Sequence, residues 1–318
     1  MPTAVHVPVL VEEVMGHLRP RSGDRLLDAT LGQGGHAAAY LNLSGPAGEV
    51  VGLDADDSAL AAAKERLTPF GDRVTLRHAN FAHLNEAVNE ANVDSANRPF
   101  HHILFDLGIG SHQLTDLTRG FSFAGERSLS MRYGSRGGLP PAKVDSLNRL
   151  QRRLGYEPDV VDILQHTTEE ELADILYMYG EERFRGRIAR ALHQRPHPAT
   201  GQELAKRVSE AVPGHYRRGR LHPATRTFQA LRLAVNRELE ALETALPAAY
   251  DLLAPGGTLV VISFHSLEDR IVKTAFRRFK AERGARILTR KPISASAAEL
   301  AANPRARSAK LRAIERPG

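Results

Sequence analysis

Several features are absent from this 318-residue chain, and each absence excludes a class of protein. There is no cysteine, which excludes a disulfide framework and thiolate chemistry. No run of about 18 apolar residues occurs, so we expect no membrane span and no membrane partner. The N-terminal residues lack a basic segment followed by an apolar one, so we expect no secretory signal. With 42% hydrophobic and 25% charged residues, the composition is typical of a globular protein, and we expect a cytoplasmic one.

Histidines and acids do not cluster at the spacings that metal sites use. His101 and His102 precede Asp106, and His265 precedes Asp269. Isolated pairs of this kind are more typical of strand ends and surfaces than of a ligand set. We therefore expect no metal.

Positive charge is concentrated in two regions, although the net charge is only +6. Residues 181–226 contain 11 Lys/Arg against 4 Asp/Glu, and residues 270–318 contain 14 against 3. Segregated positive charge favours a polyanionic partner, because binding to phosphates releases counterions. Solvated helix faces are the alternative, but few acids lie near the arginines of the first region that we expect to contact nucleic acid: Arg217, Arg218, Arg220 and Arg226.

Apolar runs alternate with helical periods in the first third of the chain, which indicates β-α units and a parallel sheet. The pattern predicts strands at 25–29, 50–54, 74–79, 101–107 and 258–264, and a final antiparallel pair at 286–289 and 310–314. Apolar spacings of 3 and 4 predict one long amphipathic helix over 227–253, closed by a turn at 254–257.

The alternation stops between the fourth and fifth predicted strands. Residues 134–141 are typical of a loop, and helical patterns follow at 168–179, 184–192 and 202–212. Thr168 followed by Glu171 predicts a capping box. We expect a Rossmann-like α/β domain formed by 1–112 and 222–318, interrupted by a helical insertion at 113–221 that recognises the substrate.

A glycine-rich turn, Gly32-Gln33-Gly34-Gly35-His36, follows the first strand, and Asp54 ends the second. Glycines let the main chain approach a ligand, and the acid can accept both hydroxyls of a ribose. The third glycine of the dinucleotide fingerprint is replaced by Ala37, and Asp28 would repel a pyrophosphate. Both points favour S-adenosylmethionine over a nicotinamide dinucleotide.

Polar side chains also end the later strands, and Asp106 is the one that we place nearest the chemistry. Methylation of an exocyclic amine needs a nitrogen lone pair that the base ring delocalises. A carboxylate that accepts a hydrogen bond from the amino group localises this pair and helps remove the proton. Phe81 either covers an adenine ring or packs in the core, and Gln113 either binds a ligand or lies on the surface.

Several motifs, in order along nearly the whole chain, resemble those of one family: Gly32-Gln33-Gly34-Gly35-His36, Asp106-Leu107-Gly108, Gln113-Leu114, Tyr179-Gly180-Glu181-Glu182-Arg183-Phe184, His222-Pro223-Ala224-Thr225-Arg226-Thr227-Phe228-Gln229-Ala230 and Ser263-Phe264-His265-Ser266-Leu267-Glu268-Asp269-Arg270. The chain resembles the bacterial 16S ribosomal RNA cytosine-N4 methyltransferases, the MraW or RsmH family.

The resemblance implies a class I methyltransferase domain with a helical insertion, S-adenosyl-L-methionine as cofactor, and a decoding-centre cytosine of 16S ribosomal RNA in the small ribosomal subunit as acceptor. From their places at the ends of the fourth and fifth strands, we expect Asp106 to be catalytic and His265 and Ser266 to contact the substrate. The family's cofactor contacts fall on Gly34, Gly35, His36, Asp54, Phe81, Asp106 and Gln113.

Departures from the family pattern cluster after the fourth strand. Gly110-Ser111 replaces a pair of serines, Ser130 replaces an aspartate, and the loop over 134–162 looks longer than its equivalent. A ribosome-assembly factor that retains the fold without turnover therefore stays open as an alternative. A nicotinamide-dependent oxidoreductase is a third reading, which the missing glycine and the basic regions disfavour.

Overall fold

The computed structural model describes residues 8–91, 98–134 and 138–318, and it divides into two compact units. The first unit combines residues 1–108 with 242–318, and the second is formed by 109–241. The expected insertion, 113–221, lies within the second unit. None of the helices in the described part of the chain is long and apolar enough to cross a membrane.

The first unit is built around one mixed sheet. Its elements in chain order are α1 (Val11–Leu18), β1 (Arg25–Asp28), α2 (Gly35–Leu43), β2 (Glu49–Asp54), α3 (Asp57–Leu67), β3 (Val74–His78), α4 (Leu84–Glu90), β4 (Phe100–Asp106), and, after the second unit, β5 (Leu253–Ser263), α14 (Ser266–Arg283), β6 (Arg286–Ile287), α15 (Ala297–Ala302) and β7 (Lys310–Glu315). The strand order is β3-β2-β1-β4-β5-β7-β6. The first five of these strands run parallel to one another, and β7 pairs antiparallel with both β5 and β6.

Apolar side chains on alternate strand positions supply two cores, one on each face of this sheet. Leu27 and Ile103 belong to one core, whereas Leu26 and Leu104 belong to the other. A strand in a parallel sheet with both faces covered is apolar at every position, which explains the continuous apolar runs in the sequence. Each fully buried leucine contributes about 1.5–3 kcal/mol of transfer free energy. The Rossmann-like α/β fold predicted from the sequence is confirmed by this strand order and these crossovers.

The second unit is helical within the described residues. Its helices are α5 (Ser111–Thr115), α6 (Asp145–Leu154), α7 (Val160–His166), α8 (Glu169–Gly180), α9 (Arg185–His193), α10 (Gly201–Ala211), α11 (Gly214–Arg217), α12 (Thr225–Asn236) and the first part of α13 (Glu238–Leu252). The predicted capping box is present, because Thr168 accepts the Glu171 N–H and Glu171 accepts the Thr168 N–H. Both hydrogen bonds satisfy donors that the first turn of α8 leaves open.

Three of the sequence expectations about local structure are wrong. The single helix over 227–253 is two helices, α12 and α13, because Arg237 takes a left-handed conformation with φ of 50° and its N–H bonds to the Leu233 carbonyl. One such residue ends a helix without disturbing the apolar spacing. The loop over 134–162 contains α6, which buries Leu147 and Leu150 and ends at the left-handed Gly155. The turn expected at 254–257 is part of β5, where the pairing with β4 shifts register.

Candidate functional site

Three aspartates meet at the carboxyl ends of neighbouring strands in the first unit. Asp28 ends β1, Asp54 ends β2 and Asp106 ends β4. The register pairs Asp28 with Gly52 on one side and with Leu104 on the other. Asp54 and Asp106 therefore each lie two residues beyond Asp28, and the three carboxylates line one notch at the edge where open α/β sheets bind ligands.

The glycine-rich turn is held to the strand on either side of β1. The Ala29 N–H donates to the Leu104 carbonyl at 2.9 Å, and the Leu31 N–H donates to the Leu53 carbonyl at 2.8 Å. The Gly32 N–H donates to Oδ2 of Asp54 at 2.7 Å. The turn and the acid that ends β2 therefore form one rigid element.

The glycines of this turn serve two different purposes. Gly32 has a φ of +54°, and a Cβ placed there would have no atom of the described residues within 4 Å, so among these residues its main chain borders open space. A Cβ on Gly34 would lie 3.1 Å from Cδ1 of Leu67, and one on Gly35 would lie 2.6 Å from Cγ of Pro8. Gly34 and Gly35 thus allow α2 to pack closely against the protein itself, whereas Gly32 leaves room for a ligand.

His36, in the first turn of α2, points toward the end of β4. Its Nε2 lies 3.4 Å from Oδ2 of Asp106, and its side chain is 5% exposed. Both ring nitrogens of His36 lack a hydrogen-bond partner among the described residues, and so does Oδ1 of Asp106. The Asp106 main chain is fixed, because its N–H donates to Oγ1 of Thr30 at 2.6 Å. Buried polar atoms without partners at a strand end are typical of a site that a ligand completes.

The pKa of Asp28 is raised to about 7, chiefly by burial and also by the neighbouring charges of Asp106 and Asp54. His36 and the hydrogen bond from the Thr30 N–H act in the opposite direction. The environment therefore disfavours another negative charge. A ligand that carries positive charge at this notch would relieve the repulsion, and a ligand that presents a phosphate would increase it.

Phe81 begins a short 3-10 helix, Phe81–His83, directly after β3. Oδ1 of Asn80 accepts the Ala82 N–H at 2.9 Å and so fixes the start of this helix. The Phe81 ring packs edge to face against Phe105, with ring centroids 5.8 Å apart. The half-buried ring contacts the core through this edge. Its position is compatible both with packing in the core and with covering an adenine ring.

His265 and Ser266 begin α14 after β5. Nδ1 of His265 accepts the Glu268 N–H at 3.3 Å, which makes His265 the N-cap of the helix. The nearly buried Glu268 in turn accepts the Phe264 N–H at 2.8 Å. His265 thus has a structural role in this turn, whereas Ser266 is exposed. Contact of either residue with substrate remains a prediction.

The other residues predicted from the sequence belong to the second unit. Oε1 of Gln113 accepts the Gly110 N–H at 2.9 Å. Arg217, Arg218 and Arg220 are exposed at and beyond the end of α11. Arg226 differs from them, because it is half-buried and donates to the Glu181 carbonyl at 3.1 Å.

The site also contains residues of the first strand end and of the glycine-rich turn to which sequence reasoning assigned no individual contact. Asp28, Thr30 and Gly32 hold or border the notch formed by the three aspartates. Their alternating spacing after an apolar run is the signal that could have identified them. Among the described residues, no group of three or more His, Cys, Asp or Glu is placed to hold a metal ion.

A profile of the MraW methylase family matches residues 3–317. The chain belongs to the MraW methylase family. A relative from Synechococcus elongatus, named Ribosomal RNA small subunit methyltransferase H, is 45% identical over 312 residues, which cover 98% of this chain and 94% of the relative. A second relative of the same name, from another Synechococcus, is 48% identical over 315 residues, covering 98% and 92%. A third, from Symbiobacterium thermophilum, is 43% identical over 329 residues, covering 97% and 96%.

Family membership makes this chain a methyltransferase, with S-adenosyl-L-methionine as its methyl donor. The residues at the notch fit this donor. Its sulfonium and ammonium groups are cationic, and the notch combines three carboxylates with buried atoms of His36 and Asp106 that have no hydrogen-bond partner among the described residues. The open main chain at Gly32 offers space beside them.

Proposed function

We propose that this MraW-family chain methylates the N4 amino group of a decoding-centre cytosine in 16S ribosomal RNA. The observation that carries the proposal is the partly exposed Asp106 carboxylate at the end of β4, with one oxygen near His36 and the other without a partner among the described residues. The names of the relatives, which are 43–48% identical, support ribosomal RNA of the small subunit as the substrate class. The exposed arginines 217, 218 and 220 supply positive charge for such a polyanion.

The cofactor would be held mainly by the first unit. Asp54 holds the glycine-rich turn, because its oxygens accept the Gly32 N–H and the Asp56 N–H, the latter at 2.9 Å. As the acid that ends β2, it would also accept the ribose hydroxyls. Phe81 would cover the adenine, and Gly34, Gly35 and His36 would shape the turn around the methionine end. Gln113 stays a predicted cofactor contact that the family resemblance implies.

When bound, the cofactor supplies an electrophilic methyl group. Asp106 would accept a hydrogen bond from the cytosine amino group, which localises the nitrogen lone pair. The same carboxylate would then hold the proton that the amine loses. The Thr30 hydroxyl fixes the Asp106 main chain, and the His36 ring lies beside Oδ2 of Asp106, so both orient the carboxylate.

Transfer of a tritiated methyl group from labelled S-adenosylmethionine to small ribosomal subunits tests this function. We expect the wild-type chain to label 16S ribosomal RNA, and mass spectrometry of the digested RNA to find the label in N4-methylcytidine. Label in another nucleoside would refute the proposed position, and label in no RNA would refute the activity.

The assembly factor without turnover, which Ser130 left open in the sequence, is disfavoured because the chain belongs to a methylase family. A serine stands where the family pattern has an aspartate, and the Ser130 carbonyl accepts the Val160 N–H at 3.4 Å. Tight binding to small subunits without transfer of label would support this alternative.

A further inference from the structure

Two aromatic side chains of the second unit stack at its surface. The rings of Phe123 and His222 lie with centroids 4.6 Å apart and planes inclined by 25°. The buried Phe228 meets Phe123 edge to face, with centroids 4.7 Å apart. Phe123 is 36% exposed and His222 is exposed. The Phe123–His222 stack is therefore anchored on one side and open to solvent on the other.

The Phe123 side of the stack is held in a tight turn. The Gly125 N–H donates to the Ser122 carbonyl at 3.1 Å, and the Gln202 N–H of α10 donates to the Gly125 carbonyl at 3.0 Å. A Cβ on Gly201 would lie only 2.2 Å from the Ser122 carbonyl oxygen, so α10 begins directly against this turn. The position of Phe123 is thus set before any ligand arrives.

The His222 side is fixed as well. Nδ1 of His222 accepts the Ala224 N–H at 3.2 Å, and its carbonyl accepts the Thr225 N–H at 3.0 Å, at the start of α12. An aromatic pair that is exposed yet rigid loses little conformational entropy when a flat ligand stacks on it.

Positive charge directly precedes the stack. Arg217, Arg218 and Arg220 are exposed, and Arg220 is two residues from His222, which places their main chains within about 7 Å. The segment is anchored by Tyr216, whose hydroxyl donates to the buried Glu182 at 2.8 Å. Cationic side chains beside an aromatic platform are the combination that binds single-stranded nucleic acid, since the arginines attract phosphates and the rings stack on bases.

We propose that the Phe123–His222 stack is a platform for an unpaired base of the RNA substrate, with the adjacent arginines bound to its flanking phosphates. This inference rests on the proposed function for the identity of the RNA, and it adds a site that recognises single-stranded nucleotides. Stacking tolerates any base, so the platform selects exposed, unpaired nucleotides and does not choose the base that is methylated.

The absence of tryptophan from the chain permits a direct test. Phe123→Trp introduces a single tryptophan at the platform. Tyr156→Trp introduces one at a residue of the same unit with the same 36% exposure. Each variant is titrated with a single-stranded RNA decamer and with an oligomer of equal phosphate number whose bases are removed. We expect quenching by the decamer at position 123 only, and little quenching by the abasic oligomer at either position.

A second pair of measurements separates stacking from folding. His222→Asn keeps an acceptor for the Ala224 N–H but has no ring, and Phe123→Leu keeps the apolar volume. We expect each variant to weaken decamer binding by about 5- to 150-fold while binding of the abasic oligomer stays unchanged. Equal quenching at the two tryptophan positions, or unchanged decamer affinity in both variants, would overturn the platform. If the decamer quenches the Phe123→Trp variant but the wild-type chain transfers no methyl group, the platform stands and only the proposed function is overturned.

Discussion

Nε2 of His36 lies 3.4 Å from Oδ2 of Asp106, and this contact joins the first turn of α2 to the end of β4. His36 is almost fully buried, whereas the Asp106 side chain is 21% exposed. Oδ2 of Asp106 is thus oriented by the protein, and Oδ1 is buried without a hydrogen-bond partner among the described residues. The arrangement lets Asp106 act on a ligand from a defined position.

Replacement of Asp106 by Asn keeps the size of the side chain and removes its charge. We expect the single-turnover rate of methyl transfer at saturating RNA to fall by about 10²- to 10⁴-fold, the usual range for loss of a proton acceptor. RNA affinity should change little, because Asp106 is proposed to act on the amino group. Asp251→Asn, in an exposed ion pair with Arg283, is the matched control. A near-normal rate for Asp106→Asn would assign the chemistry to another residue, with Ser266 and His265 next.

The second prediction concerns Asp54. Asp54→Ala should weaken binding of S-adenosylmethionine by about 1.5–3 kcal/mol, the cost of losing a charged hydrogen-bond partner. Calorimetric titration measures this change. Asp57→Ala, three residues later and 83% exposed, should leave the affinity unaltered. Equal affinities for Asp54→Ala and the wild type would exclude the ribose contact.

The raised pKa of Asp28 predicts a pH-dependent stability. Its pKa is about 7 in the folded chain and near 3.8 when exposed. The folded state therefore holds more protons between these two values, and its stability falls as the pH rises from about 4 to 7. Asp28→Asn removes this loss. Between pH 4 and pH 8, the free energy of unfolding of the variant should therefore rise by on the order of 2–4 kcal/mol relative to that of the wild type. Urea unfolding of both proteins across this range measures the difference, and parallel pH profiles would contradict the prediction.

A triple Ala substitution of Arg217, Arg218 and Arg220 tests the phosphate contacts. Each lost contact should lower the slope of log affinity against log salt concentration by somewhat less than one. RNA affinity should fall mostly at low salt, while affinity for S-adenosylmethionine should stay intact. Filter binding at several salt concentrations gives the slope. A slope equal to that of the wild type would make the cluster a solvated face and leave the second basic region, 270–318, as the RNA contact.

The sequence alone determined the strands of the sheet and the acids at their ends. Buried parallel strands require continuous apolar runs, and the side chains that follow them lie at one edge whatever the detailed packing. Asp54 and Asp106 are therefore assigned to one edge of the sheet by the sequence alone. The capping box at Thr168 is equally local, since its four residues carry their own hydrogen bonds.

Only the tertiary structure separated the roles of residues that look alike in the sequence. Gly32 borders open space and Gly35 meets Pro8, although both stand in one glycine-rich turn. Arg237 divides a helix whose apolar spacing continues unbroken, because a single left-handed residue changes direction without changing periodicity. The burial of Asp28 and the stack of Phe123 on His222, 99 residues away in the chain, depend on distant segments. Such contacts are set by packing between elements, and no local pattern of residue types encodes them.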